Sequence, residues 1–249
     1  MVTMSQEIML RTENLSWGKI LQGINLYVKA GELVGIVGPN GSGKSSLLRC
    51  IYRVNKPSAG KILLNDSDVW RMRAKDVSKK LAVVPQEMPG EFDFTVWDIV
   101  SMGRYPHKGI IESFNSRDNE LISQALQQVG MLELAERNFT SLSGGEKQRT
   151  LIARAIVQEA EILILDEPGN HLDIYYQLEI MNLISKPGVT CLTVMHDLNL
   201  AMQYCDRLYV MNEGRIYASG TSQDVLTPEL IKKIYRVNVS MRPGILFEF

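Results

Sequence analysis

Eight consecutive residues, Gly38-Pro39-Asn40-Gly41-Ser42-Gly43-Lys44-Ser45, put three glycines, an ammonium and a hydroxyl between a strand-like run and a helical one. Glycines let backbone N–H groups turn inward around phosphates, Lys44 supplies a positive point charge, and Ser45 offers a hydroxyl to Mg²⁺. The helix that starts there adds the positive end of its dipole. This is chemistry for the β- and γ-phosphates of a nucleoside triphosphate. Two acids, Asp166 and Glu167, close the apolar run Ile162–Leu165, and the carboxyl end of such a strand opens on the ligand crevice of an α/β sheet. Asp166 there can hold Mg²⁺ through water, and Glu167 can polarise a water for in-line attack on the γ-phosphate. His196 follows a further apolar run, Cys191–Met195; taken alone, a histidine in that place serves packing as readily as chemistry. A second glycine-bearing motif, Leu142-Ser143-Gly144-Gly145-Glu146, opens a helix. It is a second anion cradle, and one nucleotide does not obviously need two on separate helices.

The elements that must carry these groups read as α/β. Short β-like runs over Met9–Leu15, Ile24–Val28 and Leu33–Val37 form an opening sheet, and Ser42–Tyr52 takes helical spacing with Leu47, Leu48 and Ile51 on one face. Lys61–Leu64 and Lys80–Val84 read as strands. From Pro85 the texture changes, with helical patterns over Val96–Met102, Asn119–Val129 and Gly144–Val157. Residues 88–158 are therefore expected to form a helical lobe inserted in a nucleotide-binding core made of 1–87 and 159–249, all within a single domain. Ile162–Leu165, Thr190–Met195, Tyr209–Met211 and Arg215–Ala218, with a helix over Ile174–Ser185, continue a mainly parallel sheet. The tail from Thr227 reads as a short helix and two weak strands.

Composition narrows the partners. With 27 basic and 28 acidic residues and no Lys/Arg block, the chain lacks the basic arm typical of nucleic-acid binding. Cys50, Cys191 and Cys205 are odd in number and widely spaced, so they read as reduced, buried thiols rather than a disulfide framework or zinc site. Met1–Leu10 has no signal-peptide pattern, and no run of about 18 apolar residues occurs. A membrane role would come through a partner.

Taken together in this order, the motifs resemble the ATP-binding cassette (ABC) ATPases over Leu15–Gly220. The resemblance implies a P-loop core with an N-terminal antiparallel β-subdomain and an inserted helical subdomain, and ATP and Mg²⁺ as ligands. It identifies Gly38–Ser45 and Ser46 as nucleotide contacts, and Trp17 as an aromatic stacking on adenine, with core packing the lesser reading of that position. Gln86 matches the glutamine that reaches the metal and attacking water, His196 the γ-phosphate contact, and Asp173 the acid of the Asn170-His171-Leu172-Asp173 corner, where a helix N-cap is the ordinary role. It also resolves the second cradle: Ser143, Gly144, Gly145 and Glu146 of one chain close over the nucleotide of a second, head-to-tail copy. Gly169 in place of Ser or Thr, Ser46 in place of Thr and Glu146 in place of Gln depart from the common pattern.

Within that family, Thr95–His107, His196–Ala201 and Val225–Glu229 resemble the ATPases of metal-chelate importers, which take up iron-siderophores, haem or cobalamin. This implies two polytopic permease subunits, an extracytoplasmic binding protein, and a peripheral place on the cytoplasmic face of the membrane. The aromatic-rich segment from Met88 to Pro106 would either line the permease groove or pack the helical lobe. The alternative reading is a soluble ABC ATPase of iron-sulfur cluster assembly. A DNA-repair or chromosome ATPase is disfavoured, since the interval from Ser45 to Leu142 is too short for its coiled coil.

Overall fold

The computed structural model describes residues 7–86, 93–109, 111–169 and 172–239. The chain runs through β1 (Ile8–Trp17), β2 (Leu21–Lys29), β3 (Leu33–Val37), α1 (Lys44–Ile51), β4 (Ala59–Leu64), β5 (Ser67–Asp68), α2 (Ala74–Lys80) and β6 (Leu81–Val84). It continues with α3 (Val96–Ser101), α4 (Ser116–Gln128), α5 (Gly144–Val157), β7 (Ile162–Asp166), α6 (Ile174–Ile184) and β8 (Cys191–Val194). It finishes with α7 (Leu198–Tyr204), β9 (Arg207–Asn212), β10 (Arg215–Gly220), α8 (Ser222–Val225) and α9 (Pro228–Tyr235).

Two sheets form. The first is antiparallel, in the order β2-β1-β4-β5, and the second has the order β10-β9-β3-β8-β7-β6. In the second, β3 lies parallel to both β8 and β9, β7 lies parallel to β6 and β8, and β10 closes one edge as an antiparallel hairpin with β9. The three runs over residues 8–37 thus do not make one opening sheet. In β2 buried residues are interspersed with exposed ones, as suits a sheet with one covered face, whereas every residue of β3 is buried, which only the middle of a two-sided sheet provides.

Alternate residues of the central strands feed two cores. Val34, Ile36, Ile162, Ile164, Leu192 and Val194 pack against α1 and the antiparallel sheet. Leu33, Val37, Val84, Leu165, Cys191 and Val210 pack on the opposite face against the helices. The P-loop helix is thereby trapped between two sheets, and the strand ends that carry the acids are held in register by parallel pairing. Three helices escaped the sequence reading, α2, α7 and the four-residue α8. α2 has only Val77 buried and α7 only Ala201, so neither has an apolar stripe long enough to show a period. In the tail, α9 is present; residues 236–239 form no strand, and the rest of the tail lies outside the described residues.

Between β6 and β7 the described residues contribute no strand to either sheet. Each helix there starts on a capping box: Thr95 with Asp98, Asn115 with Asp118, Ser143 with Glu146. Asp118 also takes part in a buried ion cluster. Its Oδ1 accepts from Arg104 Nε at 3.1 Å and its Oδ2 pairs with Lys108 Nζ, while Arg104 Nη1 donates to the carbonyl of Val157 at 2.8 Å and to Glu159 Oε2 at 2.7 Å. Arg104 therefore holds the start of α4 and the end of α5 together. Burial alone would raise the Asp118 carboxyl, but hydrogen bonds from the Asn115 N–H, Lys108 and Arg104 outweigh it and hold it down at about 2. The aromatic-rich segment divides: Trp97 packs on the helical core, Tyr105 is exposed and tilts against Phe114 at 5.7 Å, and residues 88–92 lie outside the described ones.

Candidate active site

β3 ends at Val37, and the loop from Gly38 to Gly43 returns the chain into α1. Gly38, Gly41 and Gly43 have φ of +152°, +79° and +99°, a region that side chains resist. At Gly38 a Cβ would also run into the carbonyl oxygen of Met211. These glycines let the chain turn tightly from β3 into α1. Helix α1 has Gly43 at its N-cap and no side-chain acceptor there, whereas α3 to α9 are each capped by a Thr, Asn, Ser or Asp side chain. The first N–H groups of α1 are left for an anion.

Lys44 is 5% exposed, and its Nζ donates to the carbonyls of Gly38 at 2.8 Å and Pro39 at 3.1 Å. Burial lowers its pKa, and the nearby Glu167 and Asp166 carboxylates work the other way. An ammonium with neutral acceptors in a dry place gains from an anionic ligand. Ser45 Oγ donates to Asp166 Oδ1 at 3.1 Å. Burial raises the Asp166 carboxyl, opposed by the Ser45 hydrogen bond. Hydroxyl plus carboxylate is the hard-oxygen pair that Mg²⁺ accepts alongside phosphate, so these residues fit such an ion.

Glu167 is placed by parallel pairing at the end of β7, where its N–H donates to Val194 O at 3.2 Å, and its φ is +56°. Gln86, just past β6, donates from Nε2 to Glu167 Oε2 at 2.8 Å, and His196, just past β8, meets Glu167 Oε1 through Nε2. Three adjacent strand ends thus converge on one carboxylate. These two hydrogen bonds hold the carboxylate in a fixed orientation beside the loop. One groove beside the loop is lined by Asn40, Gly41, Gly43, Lys44, Ser45, Ser46, Ile20 and Glu167, and a second by Asn40, Gly41, Gln86, Glu167 and His196.

The structure brings together Lys44, Ser45, Asp166, Glu167, Gln86 and His196. It keeps others apart from them. Trp17, at the end of β1, is half-buried and packs on the core beneath the antiparallel sheet, and Ile20 rather than Trp17 lines the groove. Ser143 is exposed at the N-cap of α5, with Glu146 Oε2 accepting from its N–H at 2.7 Å and its Oγ at 2.8 Å. Those two hydrogen bonds hold the Glu146 carboxyl below its usual range. Asp173 caps α6, accepting from Tyr176 N at 3.1 Å. None of Ser143, Gly144, Gly145, Glu146 or Asp173 lines either groove. One further residue had no signal in the sequence: Tyr235, at the end of α9. Burial pushes its phenol up to about 12, with the Gly38 backbone working the other way.

Comparison with known proteins agrees with this geometry. A petrobactin import ATP-binding protein of Bacillus anthracis is 40% identical over 228 residues, covering 90% of this chain and 84% of that one. An iron(3+)-hydroxamate import ATP-binding protein of Bacillus subtilis is 36% identical over 240 residues, covering 93% and 89%. Among solved structures, one described as an inward-facing, metal-chelate type ABC transporter superposes with a TM-score of 0.80 at 30% identity, covering 93% of this chain and 90% of that one. The family model described as ABC transporter matches residues 21–170. With the P-loop, the strand-end acids and the Leu142–Glu146 motif on one such fold, the chain belongs to the ABC transporter family as an ATP-hydrolysing cassette.

Proposed function

We propose that this chain is the ATP-hydrolysing subunit of an importer for an iron-siderophore or a related metal chelate, such as haem or cobalamin. The observation that carries the chemical part is the convergence of Gln86, Glu167 and His196 beside Lys44 and Ser45. The import names of the relatives carry the biological part, and they give the soluble iron-sulfur assembly alternative no support.

In this reading residues 1–87 and 159–249 form the nucleotide-binding core and 88–158 the helical lobe. The loop Gly38–Ser46 holds the phosphates, Lys44 neutralises charge between β- and γ-phosphates, and an adenine extending past Ile20, outside the phosphate groove, would meet Trp17. Ser45, Gln86 and Asp166 would hold Mg²⁺, which when bound would offset charge on the phosphate oxygens. Glu167 takes the proton of the attacking water, while Gln86 and His196 hold that carboxylate in line, and His196 also reaches the γ-phosphate.

Ser143, Gly144, Gly145 and Glu146, remote from the chain's own grooves, serve the nucleotide of a second, head-to-tail copy, with Asp173 near the same junction. The exposure of Ser143 and Gly144 on a capped helix end supports this. Among the described residues no helix is long and apolar enough to cross a membrane. In this reading the chain acts at the cytoplasmic face through polytopic permease subunits, with an extracytoplasmic binding protein delivering the chelate and no nucleic acid involved.

Purification of the chain from detergent-solubilised membranes, followed by mass spectrometry, tests the transport part; a stoichiometric polytopic permease is expected, and soluble companions alone would overturn it. Lys44→Ala is expected to weaken ATP binding by roughly 10- to 100-fold, the worth of a charge-assisted hydrogen bond. Equilibrium titration with a fluorescent nucleotide checks this, and unchanged affinity would remove Lys44 from the phosphate site.

A further inference from the structure

The motif Ser143-Gly144-Gly145 sits at the start of α5 and Asp173 at the start of α6, and the structure joins these two helix ends at two points. Close to the tips, a Cβ built on Gly145 would lie 3.1 Å from Leu172 Cδ2, so the backbone of α5 packs tightly on the corner before α6. Further along, the Arg149 guanidinium of α5 lies 4.0 Å from the centre of the Tyr176 ring of α6. The same guanidinium donates through Nη1 to Val129 O at 3.2 Å and Gly130 O at 3.5 Å, at the end of α4. Gly130 has φ of +64°, and a Cβ there would stand 3.3 Å from Nη1. Arg149 Nε is buried with no hydrogen-bond acceptor among the described residues; the aromatic face beside it offsets that cost in part. Tyr176 is tied in turn to Asp173, whose Oδ1 accepts its backbone N–H at 3.1 Å.

A planar, permanently charged fork that both stacks and donates is a task for arginine and not for lysine. We propose that Arg149 and Tyr176 are positioning residues that clamp the Ser143–Gly145 end of α5 and the Asp173 end of α6 into one rigid edge, presented as a unit to a second copy of the chain. This rests on the composite-site reading above. Neither residue touches the chain's own P-loop grooves, so the clamp acts on assembly and turnover rather than on the first binding of nucleotide.

The test uses the full chain in the Glu167→Gln background, where slowed hydrolysis is expected to keep ATP bound, and measures ATP-dependent dimerisation by sedimentation. Adding Arg149→Lys or Tyr176→Leu is expected to weaken the dimer by roughly 5- to 10-fold each. The double variant should be little worse than either single one, since both remove the same contact. Tyr176→Phe keeps the ring and should behave like the parent. In chains with Glu167 intact the same variants should lower kcat and leave ATP affinity per chain within twofold, which a merely structural defect would not spare. If the parent fails to dimerise with ATP, the composite-site reading falls and the clamp with it. If the parent dimerises and the variants do so equally well, or their effects multiply independently, the clamp alone is overturned. Arg149→Lys keeps charge and bulk, so it decides the matter even if Tyr176→Leu does not fold.

Discussion

Glu167→Gln is expected to lower ATP turnover at saturating Mg-ATP by about 10²- to 10⁴-fold, the usual contribution of a positioned general base. Nucleotide affinity should stay within a few-fold. The substitution preserves shape, and the amide can still engage Gln86 and His196, which meet the two carboxylate oxygens in the wild type. What it removes is the carboxylate basicity that the proposed mechanism asks of this residue. The backbone at this position has φ of +56°, and Gln tolerates that conformation much as Glu does, so folding should be unaffected. Phosphate release and equilibrium nucleotide binding, measured side by side, separate the two effects. Turnover within threefold of wild type would sink the assignment of Glu167.

The largest effect on stability is expected at a site with no part in the chemistry. Asp118→Asn removes the one carboxylate shared by Arg104 and Lys108, each about 6% exposed. Two cations would then remain buried with only Glu159 and Glu112 at their outer side. Breaking a buried pair from one end costs about 3–5 kcal/mol, and denaturant titration should show a loss of that order. Wild type should also carry an acid signature. The Asp118 carboxyl lies at about 2 in the folded chain, below its unfolded value of about 3.9. Its folded form therefore binds fewer protons than the unfolded one. The contribution is present above about pH 4 and is lost as pH falls toward 2. Asp118→Asn should remove that component of the pH dependence; an unchanged acid profile would show that the carboxylate is not held down by its partners.

Much of the site is local and could be read in one dimension. The loop Gly38–Ser45 needs glycines because of its backbone geometry, and the acids at Asp166–Glu167 are found by the apolar run before them. Both are short-range facts. The capping boxes at Thr95, Asn115 and Ser143 are equally local, three residues from donor to acceptor. The importer resemblance in Gly103-Arg104-Tyr105-Pro106-His107 was visible as a pattern, but its physical cause was not. Arg104 answers to Asp118, Val157 and Glu159, and His107 Nε2 meets the Gln158 carbonyl at 2.7 Å, all partners remote in the chain.

What the sequence determined by itself is therefore the list of reactive groups and the kind of element under each one, because spacing, turn chemistry and burial period act within a few residues. Tertiary structure alone decided three things. It placed β3 in a different sheet from β1 and β2, since a strand buried on both faces needs neighbours, here β8 and β9, from the far end of the chain. It made Gln86, Glu167 and His196 meet, since parallel pairing of β6, β7 and β8 fixes the register of their ends. And it joined Arg149 to Tyr176. No local rule encodes such contacts, because their geometry exists only after two cores have closed around one sheet.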